Sequence, residues 1–356
     1  MSISDQQQLN QKVLFRVGIR HELPKIVEQF GCSSALVLST SEQFVAAQDL
    51  VEKLGNLAGG IFSKAKMHTP IEVTQEALIH AKTIKADCLV SIGGGSTTGL
   101  SKAIALHTDL PQIIIPTTYA GSEATPILGQ TEAGIKTTLR DPRVLPEIIL
   151  YDPELVVTLP RQLSVTSGLN AMAHAAEALY AKDRSLKFTE LAIEGLQHFV
   201  TSLPIVLTDP SDLAARENTL RGAWACGTVL GNVGMALHHK LCHTLGGSFD
   251  LPHAQTHAVI LPHAIAYNAH AVADLLEPIV VMLDGRDAGQ AIWNFAKSLD
   301  APLSLRELGM KESDLENAAE IAANNPYWNP REITREGILQ LLYSAWAGSA
   351  PGNDLL

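Results

Sequence analysis

The stretch LHHKLCHTLGGSFDLPHAQTHAVILPH, residues 237–263, carries six of the chain's thirteen histidines. Imidazole titrates near neutral pH and is the commonest protein metal ligand, so such a cluster can hold a cation or move protons. His239 and His243 are four residues apart, on one face of a helix, and His253 follows ten residues later, after a Gly-Gly turn. Upstream, GLNAMAHAAEALYA sets Asn170 and His174 at the same spacing. His174, His243 and His253 therefore suit a site built from three separate elements. A zinc-type HExxH helix is absent, and no cysteine joins a histidine in a ligand set. Taken singly, each histidine reads as structural. Six together, interleaved with Gly-Gly and two Leu-Pro-His triplets, read as a site.

A second kind of chemistry is written into the first half. In SIGGGSTTGLSKAIAL, a strand ending at Ser91-Ile92 runs into Gly93, Gly94 and Gly95, and Ser96-Thr97 can cap a helix starting near Thr98. Glycines let a diphosphate approach the backbone, and a helix N-terminus offers it unpaired N–H groups. Lys102, one turn in, is compatible with that role. The loop PTTYAGSEAT, with Thr117, Thr118 and Ser122, closes the next strand in the same sense. Two such loops at the ends of adjacent parallel strands point to a dinucleotide, although neither is a GxGxxG fingerprint or a Walker loop. The early strand Ala35 to Ser39 ends in Thr40-Ser41, without a carboxylate to repel a 2′-phosphate. NADH and NADPH are therefore both expected cofactors.

Two groups of elements must position these residues. Up to Pro160, continuous apolar runs (34–40, 59–65, the stretches before Gly93 and Thr117) alternate with helical stretches (43–54, 71–84), as in a parallel sheet covered on both faces. GQTEAGIKTTLR and EIILYDPELV then read as a hairpin and a closing strand. Beyond Pro160 the chain is rich in Ala, Leu and Glu and reads as helical throughout. The expected fold is an α/β dinucleotide-binding, Rossmann-like domain over 1–160 and an all-helical domain over 161–356 that carries the histidines.

At 356 residues with 46% hydrophobic and 18% charged residues, the chain can bury an enzyme-sized core. A net charge of −11 argues against nucleic acid or an anionic membrane as partner. An anionic substrate would then need a local supply of cations, which Lys136, Arg140, Arg143 and Lys240 offer. No uninterrupted apolar run of about 18 residues predicts a membrane span, MSISDQQQLN has no signal-peptide core, and four scattered cysteines suit a reducing cytoplasm.

The segments GLNAMAHAAEALYA, GGGSTT, PTTYAGSEATP, YDPELVVTLP and HHKLCHTLGGSFDLPHAQTHAVILPH resemble, in order and across nearly the whole chain, the iron-dependent alcohol dehydrogenase family. Within it they are most similar to the maleylacetate reductases of aromatic-compound catabolism. The resemblance implies a two-domain enzyme with its active site between the domains, reducing the C=C bond of maleylacetate to 3-oxoadipate with NADH or NADPH. It places a family lysine near the nicotinamide at Lys136, and it implies pairing into a homodimer through an N-terminal strand, here QKVLFRVGIR. Metal-dependent members use an aspartate and three histidines, and the matching positions are Asn170, His174, His243 and His253. An amide replaces the carboxylate, Ala254 replaces a family glycine, and Lys240 adds a cation, so no catalytic metal is expected. His243 and His253 are then expected as the acid–base and enolate-stabilising pair, with His174 in support. Lys136, Arg140, Lys240 and Asn170 would hold a dicarboxylate. The rivals are a metal-dependent alcohol or glycerol dehydrogenase, a non-catalytic nucleotide-binding protein, and a lyase of the dehydroquinate synthase type.

Overall fold

The computed structural model describes residues 11–324 and 326–352. The chain forms two compact units, one of Met1–Leu159 with Pro210–Gly227, the other of Pro160–Asp209 with Thr228–Leu356. The second unit begins at Pro160, and a later helical stretch, Pro210–Gly227, belongs to the first.

In the first unit β1 (Lys12–Phe15) and α1 (Leu23–Gln29) precede β2 (Ala35–Leu38), α2 (Phe44–Leu54), β3 (Ala58–Phe62), α3 (Ile71–Thr83), β4 (Cys88–Gly93), α4 (Gly95–Thr108) and β5 (Gln112–Pro116). A hairpin of β6 (Ile127–Glu132) and β7 (Ile135–Arg140) follows, and then β8 (Ile148–Tyr151). Six strands form one parallel sheet in the order β1-β8-β5-β4-β2-β3. Successive strand residues face opposite sides. Hence Ala35 and Val37 join Val90 and Ile113 against Val27 of α1 and Leu50 of α2, while Leu36 and Leu38 join Leu89 against Ala77 of α3 and Ile104 of α4. Both faces being covered, the central strands carry no polar alternation. That is why they read as unbroken apolar runs. The strand order reverses beside β2, so the loops after β2 and β4 emerge together at the switch point, where such sheets bind ligands. The hairpin turns through Ala133 (φ 48°) and Gly134 (φ 79°), the paired positive φ of a tight two-residue turn.

The second unit opens with α5 (Arg161–Leu179) and α6 (Leu186–Thr208). The chain then supplies α7 (Leu213–Leu230), most of it in the first unit. Arg216 explains that return. It is fully buried, and its guanidinium donates to Tyr119 Oη (2.9 Å), Val157 O (3.1 Å) and Pro210 O (3.1 Å). Nothing in a helical pattern foretells such partners.

α8 (Leu237–Phe249), α9 (His253–Met282), α10 (Ala288–Ser298), α11 (Leu315–Asn324) and α12 (Arg335–Ala347) complete the second unit. α5 is buried all round from Ser164 to Leu179, as a helix rich in small residues must be when neighbours pack on every side. α9 bends at Val272, whose φ/ψ is non-helical, between Pro262 and Pro278. α6 and α9 are long and apolar enough by composition to cross a membrane, although polar residues interrupt both, so neither is the unbroken apolar run that the sequence lacks. In the fold both pack against α5, and α9 also packs against α10, while Leu186, Ile205 and Val281 stay exposed. All four cysteines are buried free thiols. Of the polar tail beyond Trp346, residues 353–356 lie outside the described part.

Candidate active site

The first unit presents the glycine turn. α4 starts at Gly95, not near Thr98, so Ser96 and Thr97 lie in its first turn and do not cap it. Its N-cap, Gly94, brings no side chain to the first N–H groups, which leaves them to a ligand. Two glycines are required here. Gly93 has φ +148°, and a Cβ on Gly94 would stand 2.9 Å from the Thr118 side chain. Thr117 is held by its N–H to Gly93 O (2.9 Å) and by Gln43 Nε2, which donates to Thr117 Oγ1 (2.7 Å). Ser122 Oγ is buried without a hydrogen-bond partner, 3.9 Å from where a Gly95 Cβ would be. An orphaned hydroxyl facing a bare helix start fits a dinucleotide's diphosphate.

Lys102 is not available to that ligand. Its buried Nζ donates to Ser122 O (2.5 Å), Thr125 O (2.7 Å), Thr125 Oγ1 (2.9 Å) and Ile127 O (2.9 Å), which staples the second loop to α4. The end of β2 also differs from expectation. Thr40 is followed by an exposed carboxylate, Glu42, whose acidity hydrogen bonds from Thr40 and Ser41 increase. On the hairpin, Lys136 pairs in register with Thr131 and the exposed Arg140 with Ile127. Arg143 is committed to Asp141 (2.7 and 3.0 Å) and Leu106 O (3.0 Å).

The second unit assembles the imidazoles. Asn170 and His174 are buried on α5, one turn apart. His239 of α8, not His243, packs beside His174, with ring centroids 5.1 Å apart. His239 also stands 6.1 Å from His243 and 5.2 Å from His257, which in turn is 4.3 Å from His253 at the start of α9. The position expected for His243, beside His174, is held by His239, one helical turn earlier. His243 is exposed and shares a hydrogen bond with Tyr327 Oη (Nδ1–Oη 3.0 Å); Lys240 Nζ lies 5.8 Å from that tyrosine's ring centre. Glu177, fully buried on α5, was also missed. It accepts from Ala236 N (2.9 Å) and His238 N (2.7 Å), and it lies 2.7 Å from His239 Nδ1. The signal was present: Asn170, His174 and Glu177 follow the i, i+4, i+7 stripe of one helix face.

Burial sets the protonation of this cluster. It pushes His174, His239 and His257 well below the usual histidine range, with neighbouring imidazoles adding to the effect, and His238 to about 4. The buried rings are neutral at pH 7. Burial also raises Glu177, against the pull of His238 and the backbone donors.

Asn170 Oδ1, His174 Nδ1 and His239 Nε2 are buried without hydrogen-bond partners, so this cluster awaits a guest. For a divalent iron the number of donors is adequate but their charge is not. All of them are neutral, and the nearby carboxylate, Glu177, already serves two backbone donors and His239. Hard cations favour anionic oxygen, and these residues do not fit a tightly held iron. Among the described residues two sets of metal-ligating groups lie close together: His238, His239 and His257 within this cluster, and Cys32, Asp87 and Cys88 in the first unit. There Asp87 accepts from Ser33 N, Ser33 Oγ and Ser34 N, and burial raises both thiols, so the set reads as structural.

Residues 10–153 match the family described as iron-containing alcohol dehydrogenase, and residues 164–346 match the C-terminal part of the Fe-containing alcohol dehydrogenase family. The chain is 56% identical over 340 residues to a maleylacetate reductase of Rhizobium sp. (strain MTP-10005), covering 96% of this chain and 97% of the relative. A maleylacetate reductase of Sphingobium indicum is 50% identical, covering 96% of each chain. The crystal structure of maleylacetate reductase from Agrobacterium tumefaciens superposes with a TM-score of 0.94 at 55% identity, over 96% of this chain and 97% of that one. The chain belongs to the iron-containing alcohol dehydrogenase family.

Proposed function

We propose that this enzyme is a maleylacetate reductase, an oxidoreductase that reduces the C=C bond of maleylacetate to give 3-oxoadipate. The observation that carries the reading is near-full-length identity to several relatives of that name. The neutral donor set supports it, because an alkene conjugated to a ketone can be reduced without a Lewis acid if hydrogen-bond donors hold the developing enolate.

Bound NADH or NADPH supplies the hydride, which adds to the carbon β to the ketone. Gly94, Gly95 and Ser96, at the start of α4, would hold its diphosphate together with Thr117, Thr118 and Ser122. Thr40, just after β2, would lie toward the adenosine end, and both cofactors would be accepted, with the nearby Glu42 charge biasing the choice toward NADH. The resulting enolate needs a donor at oxygen and a proton at the neighbouring carbon. His243 and His253 supply these, with His174 and His239 behind them. Asn170 can present either its oxygen or its N–H₂ to the substrate, which an aspartate cannot. Lys136, Arg140 and Lys240 offer cations to the two substrate carboxylates.

Catalysis on this reading needs no metal. β1 lies at the sheet edge and pairs among the described residues only with β8, which supports reading this edge as the one through which two copies pair into a homodimer. Buried free thiols suit a reducing cytoplasm.

The test is NADH absorbance during incubation with maleylacetate, with metal content measured on the same sample. Turnover that persists after chelation supports the reading. NAD⁺ reduction by an alcohol or glycerol that depends on stoichiometric iron or zinc would replace it with the metal-dependent dehydrogenase.

A further inference from the structure

We infer that Glu177 and His238 act as positioning residues that fix the tautomer of His239, so that its Nε2 enters the site as a lone pair and not as an N–H. The inference rests on the reading of this cluster as the active site. It concerns which imidazoles can donate to the enolate, which spacing alone leaves open.

The argument follows hydrogen-bond polarity from one end of a chain of contacts. His238 Nε2 lies 3.1 Å from His257 O. A carbonyl can only accept, so that nitrogen carries the proton, and the other nitrogen of a neutral ring, Nδ1, keeps a lone pair. His238 Nδ1 faces His239 Nδ1 at 3.4 Å. From the opposite side, Glu177 Oε2 approaches the same nitrogen at 2.7 Å while accepting from Ala236 N, and Oε1 accepts from His238 N. Two acceptors thus converge on His239 Nδ1 from two helices, α5 and α8. The arrangement is satisfied when Nδ1 carries the hydrogen. Nε2 is then unprotonated, and it is the atom buried without a partner beside His174.

The consequence for the reaction is specific. His239 is an acceptor in the resting enzyme, able to orient a water or a protonated neighbour but not to stabilise an enolate by donation. The donor to oxygen and the proton source then fall to other groups, among them His243 and His253. Glu177→Gln removes the charge and, in either amide orientation, sets its N–H₂ against a backbone N–H, that of Ala236 or that of His238, so Nδ1 loses its exclusive hold on the hydrogen.

The experiment is ¹⁵N–¹H correlation spectroscopy of the imidazoles in the full-length enzyme labelled at histidine, at pH 7.5, with His239 assigned by its absence in His239→Gln. Kinetics with NADH and maleylacetate accompany it. The expected result is a protonated Nδ1 and a bare Nε2 in the wild type. In Glu177→Gln a protonated Nε2 becomes detectable beside the protonated Nδ1, and kcat falls by about 10–100-fold with little change in KM for NADH. A wild-type ring protonated at Nε2 overturns the inference, as does a folded Glu177→Gln variant with unchanged tautomer or unchanged kcat. Should that variant fail to fold, the wild-type spectrum decides alone. If maleylacetate is not reduced at all, the proposed function falls while the spectrum still reports the tautomer.

Discussion

His263 should make the helix that carries the catalytic imidazoles sensitive to acid. It is fully buried on α9, almost three turns beyond His253, and neither ring nitrogen has a hydrogen-bond partner. Burial alone pushes its pKa from 6.5 to about 4. Because the folded value lies below the unfolded one, the unfolded chain binds more protons between these limits, and stability falls as pH falls through that window. At pH 5 the linkage amounts to about 2 kcal/mol from this one ring, and below pH 4 it approaches about 3.4 kcal/mol. His263→Leu removes the titration together with two unsatisfied nitrogens. The assay is denaturant unfolding followed by the fluorescence of the chain's tryptophans, at pH 7.5 and at pH 5, with residual NADH oxidation measured in parallel. The variant should gain about 2 kcal/mol relative to wild type on going from pH 7.5 to pH 5, and it should keep activity to lower pH. A stability difference that is the same at both pH values would refute the reasoning, since an unperturbed or hydrogen-bonded ring gives no such pH term.

Asn170→Asp restores an anionic oxygen among three imidazoles, and we expect it to co-purify with iron or zinc, to fall in thermal stability on chelation, and to lose C=C reduction; metal analysis and scanning calorimetry with and without chelator check this. Glu42→Gln removes the charge at the end of β2 and should raise kcat/KM for NADPH relative to NADH several-fold, with kcat for NADH little changed; an unaltered ratio would place the ribose elsewhere. Gly94→Ala sets a methyl 2.9 Å from the Thr118 side chain, and KM for NADH should rise by at least about tenfold, equivalent to about 1.4 kcal/mol, measured by steady-state titration of the cofactor.

Much of this protein is local and therefore determined by sequence alone. Buried parallel strands carry no polar alternation, so 34–40 announced β2. A Gly-Gly-Gly turn between a strand and a helix can do little else than open a helix start to a ligand. The i, i+4 histidines declared a helical site, and the amide at Asn170 declared its neutral charge. What the sequence left open depends on partners distant along the chain. Lys102 is spent on carbonyls of residues 122–127, Arg216 draws residues 210–227 back to the first unit, and His239 displaces His243 beside His174. A helix pattern gives the face a side chain occupies but not the neighbour it meets. Which of two imidazoles one turn apart lies inside, and which nitrogen of it carries the proton, was decided only when α5 brought the carboxylate of Glu177 against the start of α8.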